Sequence, residues 1–376
     1  MKEKERILSK IENDKTRPVL FTESFGGSEN QFRLLLKYVP DEYFKEINLI
    51  LNNANPDLIE KKQINILWMQ HFVNQKEAAN LGSKEFVDKL DYIVFNSNWN
   101  FEKFQYQFKI PEHKSLVIRN AVENIENHEK PRDKMNLIYH TTPWRGLVVL
   151  LKIFKKLNLK NVELNVCSST LIYGKKFNDI YGQKYKNIFD ECKNIKNINY
   201  HGYMENSRLI NFLKEMHIFS FPSIWPETSC ISAIESMAAG CQVVSTNLGA
   251  LYETCAPFGT LVSFDKNLNN LEEKYKNTLI KSIENYWSDE NQKKLKLQRE
   301  TFNLTYSWNV RSKEWINFLK SVKNFLAFFI SGCSIFTGKI AKFLKLVSSY
   351  NRSNEGISFL HGLHQVVQKL IITSFP

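Results

Sequence analysis

The sequence predicts an α/β protein built as two units, each carrying a mostly parallel sheet. Three observations predict it. The chain has 376 residues, more than a single core commonly serves. Short apolar runs alternate with amphipathic helical segments in both halves. A polar stretch at 123–134, with Pro131 in it and almost no apolar content, interrupts that rhythm and reads as a linker. The expected organisation is a charged leader (1–17), a first unit (18–122), the linker, a second unit (135–300), a closing helix (301–324) and a tail (325–376).

In the first unit, 18–21 is a strand candidate. It leads through Gly26-Gly27 to a helix at 30–38. A glycine pair between strand and helix lets backbone approach a ligand, and a helix N-terminus favours anions, although most such pairs are simply turns. Strands are expected at 46–51 and 64–72, a helix at 76–90, a strand at 91–95, a helix capped by 96–98, and a short strand at 116–118. His71 stands at the carboxyl end of its strand, where binding groups collect; a structural histidine fits the same place. In the second unit the expected strands are 135–139, 162–167, 198–201, 218–221, 241–245 and 260–264. Helices are expected at 146–157, 177–193, 206–216 and 268–287.

The stretch 218–253 is the most informative. Ile218-Phe219-Ser220-Phe221 reads as a buried strand ended by Pro222. A loop follows, then a helix that Thr228 or Ser229 can cap, with Ile231, Ile234, Met237 and Ala238 on one face. Gly240 sits where a left-handed cap wants glycine. Glu227 and Glu235 form an E-x7-E pair: Glu227 in the loop at the strand's carboxyl end, Glu235 within a small, apolar helix where a carboxylate needs a partner. The loop 141–146 repeats the logic. Thr141 and Thr142 stand at a helix N-terminus, Arg145 can fork onto a diphosphate, and Gly146 lets backbone close in.

The formal net charge of +12 fits an anionic small molecule, nucleic acid or an anionic membrane face, and equally the Lys-, Asn- and Ile-rich product of an AT-rich genome. The six cysteines are scattered, without a C-x-x-C pair, and read as reduced buried thiols in a cytosol-like compartment. The leader has no apolar core, so no signal peptide is visible. There is no D-x-D, G-x-x-x-x-G-K-[ST], G-x-G-x-x-G, G-x-S-x-G or H-E-x-x-H. Nucleic-acid motifs are missing. In the tail, residues 325–336 are apolar and flanked by Lys320, Lys323, Lys339, Lys342 and Lys345. The run is short for a membrane span. It reads as an interfacial helix on an anionic leaflet, or as a helix packed on protein.

The run 222–253 resembles the donor-binding signature of family 4 glycosyltransferases, retaining enzymes of the GT-B fold: a Pro-Ser, a Glu, seven residues, a Glu followed by small residues and Gly, a Val-Val strand, then Gly and Glu. Trp144-Arg145-Gly146, His201-Gly202-Tyr203, Gly26-Gly27 and Arg119-Asn120-Ala121-Val122 add to the likeness. The resemblance implies two Rossmann-like domains facing a cleft, binding a UDP- or GDP-linked sugar mainly on the second and a glycan or lipid-linked acceptor mainly on the first. It implies that Glu235 bonds ribose hydroxyls, Glu227 bonds the donor sugar, and Arg145 neutralises the diphosphate with helix amides in place of a metal. It places the backbone near Tyr203 at the base, Gly26 and Gly27 over the phosphates, and His71 beside the transferred sugar. It sets Thr141, Thr142, Gly146, Thr228, Ser229 and Cys230 in the donor loops. His140 stands where the family usually has a second basic residue, and a histidine there is charged only part of the time near neutral pH. Thr228-Ser229 replaces the usual Phe-Gly. The expectation is a metal-independent hexosyltransferase without a cofactor, cytoplasmic or peripheral on the cytoplasmic membrane face through 320–347, and binding no nucleic acid. The alternatives are a non-catalytic sugar-nucleotide-binding or scaffold protein on the same fold, and a sugar-nucleotide epimerase.

Overall fold

The computed structural model describes residues 18, 22, 24–157 and 159–323. Residues 19–21 of the strand expected at 18–21, the leader and the tail at 325–376 lie outside the described residues. The chain divides into two compact units, Met1–Asn317 and Phe318–Pro376, and both sheets lie in the first.

One sheet has four strands in the order β1-β2-β3-β4: Ile47–Leu51, Ile64–Met69, Tyr92–Phe95 and Ser115–Val117. The other has six, β5 (Met135–Tyr139), β6 (Val162–Val166), β7 (Ile198–Tyr200), β8 (Ile218–Phe221), β9 (Gln242–Thr246) and β10 (Thr260–Val262), in the order β10-β9-β8-β5-β6-β7. Every pairing is parallel. In β2, β5, β8 and β9 every residue is buried. Parallel sheets covered by helices on both faces require this, so β2, β5 and β8 are mostly apolar rather than alternating, while β9 buries Gln242, Ser245 and Thr246 beside Val243 and Val244.

Several elements differ from the sequence expectation. The first described helix is Gly27–Tyr38 and begins three residues early, because Gly26 and Gly27 already turn into it. The single helix expected at 76–90 is a 3-10 segment, Lys76–Gly82, followed by a short helix, Lys84–Asp88. Ser83 breaks the run by capping the second piece through Phe86 N. The helix Asp289–Thr305 was not foreseen. Its first turns are mostly charged, and only Leu295, Gln298 and Phe302 are buried. Gln298 locks it in place by donating to Met237 O (3.2 Å) and Cys241 O (2.8 Å).

The chain then returns to the four-stranded half. Val122 and Ser307 form a parallel bridge, with Val122 N donating to Tyr306 O at 2.8 Å and Trp308 N to Val122 O at 3.1 Å. Trp308 stacks on Tyr38, and Trp315 meets Trp68 edge-on with ring centroids 4.8 Å apart. Cys167, Cys192, Cys230, Cys241 and Cys255 are buried and free. No described helix is long and apolar enough to cross a membrane.

Candidate functional site

In the six-stranded sheet β5 comes first in the chain but lies between β6 and β8. The direction of strand order reverses beside it, and ligands bind in open parallel sheets at the carboxyl edge of such a point. The loops that leave β5 and β8 carry most of the expected site.

After β5 run His140, Thr141 and Thr142, then a 3-10 turn, Pro143–Arg145. Gly146 has φ +137°, and a Cβ there would lie 2.2 Å from Pro222 O. Only glycine fits, and the close approach brings the start of the helix Leu147–Lys156 against the end of β8. Gly146 does not itself line the cavity; its position is explained by packing on Pro222 rather than by room for a ligand. Arg145 Nη1 donates to both oxygens of Glu227, at 2.8 and 2.7 Å. Glu227 is 3% exposed. Burial pushes its carboxyl up, and the Arg145 guanidinium opposes that.

The helix Ile231–Ala238 is not capped by Thr228 or Ser229. Its N-cap is Cys230, left-handed at φ 59°, with no side-chain cap. A hydroxyl cap needs an extended N-cap residue, which this turn does not provide. Thr228 is used across the cleft instead: its Oγ1 donates to Gln70 O at 2.8 Å and accepts from Asn96 Nδ2 at 3.1 Å.

Glu235 is 5% exposed, in the second turn of that helix. Its partner is Asn206, whose Nδ2 donates to Oε1 at 2.9 Å. His140 lies next to it, on the cavity side: Nδ1 is 3.9 Å from Glu235 Oε2, and Nε2 is 2.8 Å from Ser236 Oγ. Burial raises the Glu235 carboxyl to about 7 and lowers the His140 imidazole to about 3. The partial charge expected of His140 is therefore suppressed at neutral pH, because burial disfavours the charged imidazole more than its neighbours favour it.

The facing wall comes from the four-stranded half. His71 follows β2, held by His71 N donating to Asn52 Oδ1 at 3.2 Å. Burial lowers its imidazole pKa. Asn96 follows β3 and Asn120 follows β4. Across the mouth, Phe25 N donates to Ile172 O at 2.7 Å, which draws the Gly26-Gly27 loop against the other half. Between the walls lies a cavity of about 420 Å³. Of the expected residues, Gly27 and His71 line it on one side. His140, Thr141, Thr142, Arg145 and Tyr203 line it on the other, joined by Glu227, Thr228, Ser229 and Cys230. Gly26 and Glu235 lie off the wall, Glu235 behind His140.

Among the cavity residues that sequence reasoning did not assign to the site are three polar ones on the four-stranded half: Gln70, Asn96 and Asn120. All are buried, and Gln70 Nε2 and Asn120 Oδ1 have no hydrogen-bond partner. The usable signal was position, since each directly or closely follows a strand's carboxyl end. Arg145 is the one lysine or arginine among the residues lining the cavity. Among the described residues, no group of three or more His, Cys, Asp or Glu could hold a metal ion.

Two parallel α/β sheets whose carboxyl edges share one cavity define a protein of the GT-B class. Residues 120–299 match the family model described as Glycosyl transferases group 1, so this segment of the chain resembles a glycosyltransferase domain. A glycosyltransferase from Rickettsia africae has a similar fold, with a TM-score of 0.56 at 17% identity over 78% of this chain and 81% of that one. Anabaena Alr3699/HepE in complex with UDP-glucose gives 0.55 at 12% identity over 77% and 82%. Among curated proteins, an uncharacterized 41.2 kDa protein in the cps region of Klebsiella pneumoniae is 22% identical over 231 residues, 55% of this chain. The chain spans 60% of the length of that relative.

Proposed function

We propose that the protein is a retaining, metal-independent hexosyltransferase. It moves a hexose from a UDP- or GDP-linked donor to a glycan or lipid-linked acceptor, and it belongs with the family 4 enzymes. The observation that carries this reading is the Arg145–Glu227 pair facing the cavity at the β5/β8 edge. A diphosphate needs a forked cation and a sugar needs a buried acceptor of hydroxyl protons; this pair supplies both. Donor binding draws Arg145 onto the diphosphate and frees Glu227 for sugar hydroxyls. Retention then follows from front-face attack: the acceptor oxygen bonds to the anomeric carbon, the carbon–oxygen bond to phosphate breaks, and the leaving diphosphate takes the acceptor's proton. Arg145 and the amides starting the helix Ile231–Ala238 stabilise the charge that develops on it.

Glu235 acts on the ribose from behind His140, and His71 stands on the opposite wall beside the transferred sugar. Cytoplasmic location, with peripheral membrane contact through 320–347, is part of the same reading and rests on the lysine-flanked apolar run. The test is release of free UDP or GDP from a panel of nucleotide-sugars by wild type, Arg145→Ala and Glu227→Gln. Turnover by wild type and its loss in both variants is the expected result. Equal release by all three proteins would overturn the reading, and binding without turnover would point to the sugar-nucleotide-binding alternative.

A further inference from the structure

We propose that Glu253 is a positioning residue that ties the Glu227 loop to the opposite wall of the cavity and so sets the distance between donor and acceptor sides. Glu253 is the last residue of the motif run, and the proposed chemistry gives it no task.

It lies on the short helix Leu251–Cys255 in the six-stranded half, yet its carboxylate is spent entirely on the other half. Oε1 accepts from Asn98 N and Asn98 Nδ2, both at 3.1 Å, and from Arg119 Nε at 3.2 Å and Nη2 at 3.0 Å. Oε2 accepts from Trp99 N at 3.0 Å. Asn98 and Trp99 open the helix Asn98–Phe108. The carboxylate therefore meets amides that have no partner inside the helix, at the end where the dipole favours negative charge. Arg119 directly precedes Asn120 on the cavity wall.

The other end of the connection is as definite. Ala250 N donates to Glu227 O at 2.7 Å, and Gly249 forms a bridge with Glu227. Thr254 Oγ1 donates to Ser229 O at 2.6 Å. The helix that carries Glu253 is thus fastened on both sides of Glu253 to residues 227–229. The same loop crosses the cleft a second time through Thr228, to Gln70 and Asn96. One loop presents Glu227 to the cavity and grips the facing wall by two routes. Any move that Glu227 makes on exchanging Arg145 for a ligand is passed to helix Asn98–Phe108 and to Asn120.

A lone Arg119–Glu253 pair, with side chains 43% and 19% exposed, would contribute little. Five donors converging on one carboxylate from a helix start and an arginine form a charge-assisted set that fixes position. Glu253 does not line the cavity, so its effect on turnover must come through placement of other groups.

The kinetic arm of the test rests on the transferase reading; the structural arm does not. Full-length Glu253→Gln, Glu253→Asp and wild type are compared. UDP affinity by calorimetry is expected to stay unchanged in Glu253→Gln while kcat for transfer falls about tenfold or more. Small-angle X-ray scattering of the UDP-loaded variant is expected to give a larger radius of gyration, and the amides of Asn98 and Trp99 to exchange faster. Glu253→Asp keeps the charge and is expected to restore part of each change. A lowered melting temperature with unchanged kcat and unchanged scattering would make Glu253 a helix cap only and overturn the proposal. If wild type turns over no donor, the transferase reading fails, while scattering and amide exchange still decide for or against the clasp.

Discussion

Arg145 and Glu227 hold each other in the position from which each is expected to serve a ligand. Glu227 is 3% exposed, so Arg145→Ala leaves a buried carboxylate without a partner. The expected cost is roughly 3–5 kcal/mol in urea unfolding at neutral pH. Without the guanidinium, burial acts unopposed on Glu227, and its folded pKa, already raised above the ordinary value, rises further. The folded state then binds the proton more tightly, so the deficit shrinks as pH falls toward the ordinary carboxylate value and is full at high pH. Adding Glu227→Gln is expected to recover most of the stability without restoring donor turnover, and a double variant no more stable than Arg145→Ala would refute this account. Glu235 gives a second pH signature. Its carboxyl sits at about 7 in the fold against an ordinary 4.5. Its contribution to stability is complete below pH 4.5 and declines as pH rises through about 7. His140, held at about 3 against 6.5, works in the opposite sense: its contribution is complete above pH 6.5 and declines as pH falls toward 3. Glu235→Gln removes only the first slope. Its stability relative to wild type is expected to grow from pH 5 to pH 8, to on the order of 3 kcal/mol. Parallel curves for the two proteins across that range would show that Glu235 is ionised in the fold.

The loops act through close backbone approaches, and Gly249 is the sharpest of them. It has φ +73°, and a Cβ would lie 2.4 Å from Glu227 O and 2.5 Å from Glu227 N. Gly249→Ala is expected to destabilise by roughly 1–3 kcal/mol and to displace the Glu227 loop, lowering turnover beyond what the loss of stability explains. Urea unfolding and turnover measured on the same preparation check both parts. At this scale the sequence was legible wherever a single physical cause dominated. Strands β2, β5 and β8 are buried on both faces and appear as mostly apolar runs. Gly240 reads as a left-handed cap and has φ +71°. Legibility failed where a partner distant in sequence decides the outcome. The helix Asp289–Thr305 looks like a solvated charge run until Met237 and Cys241 offer carbonyls to Gln298. Thr228 looks like a helix cap until Gln70 and Asn96 come within reach. Glu235 was readable as a buried carboxylate needing a partner, but not as one standing behind His140, and a neutral His140 follows from packing that no local pattern records. Gln70, Asn96 and Asn120 carry no periodicity at all, and what marks all three is their place after a strand.

Among the described residues, polar connections between the two sheet-bearing halves include the Val122–Ser307 bridge, the Phe25–Ile172 contact at the mouth, the Thr228 crossing and the Glu253 set. The bridge lies where the chain passes between halves, and the other three join loops that border or support the cavity. A ligand filling about 420 Å³ between the walls therefore binds the folded, closed arrangement and no unfolded one. By mass action, UDP at a hundred times its dissociation constant is expected to stabilise the protein by about 2.7 kcal/mol, whatever the intrinsic stability of either half. Arg145→Ala is expected to lose that shift, because the cavity wall then has no lysine or arginine left. Gly249→Ala is expected to start lower yet keep a measurable shift, because Arg145 and the β5 loop are untouched. The three proteins, melted with and without UDP at matched ionic strength, separate recognition of the diphosphate from rigidity of the loop. A UDP shift retained in full by Arg145→Ala would place the diphosphate somewhere other than the β5/β8 edge.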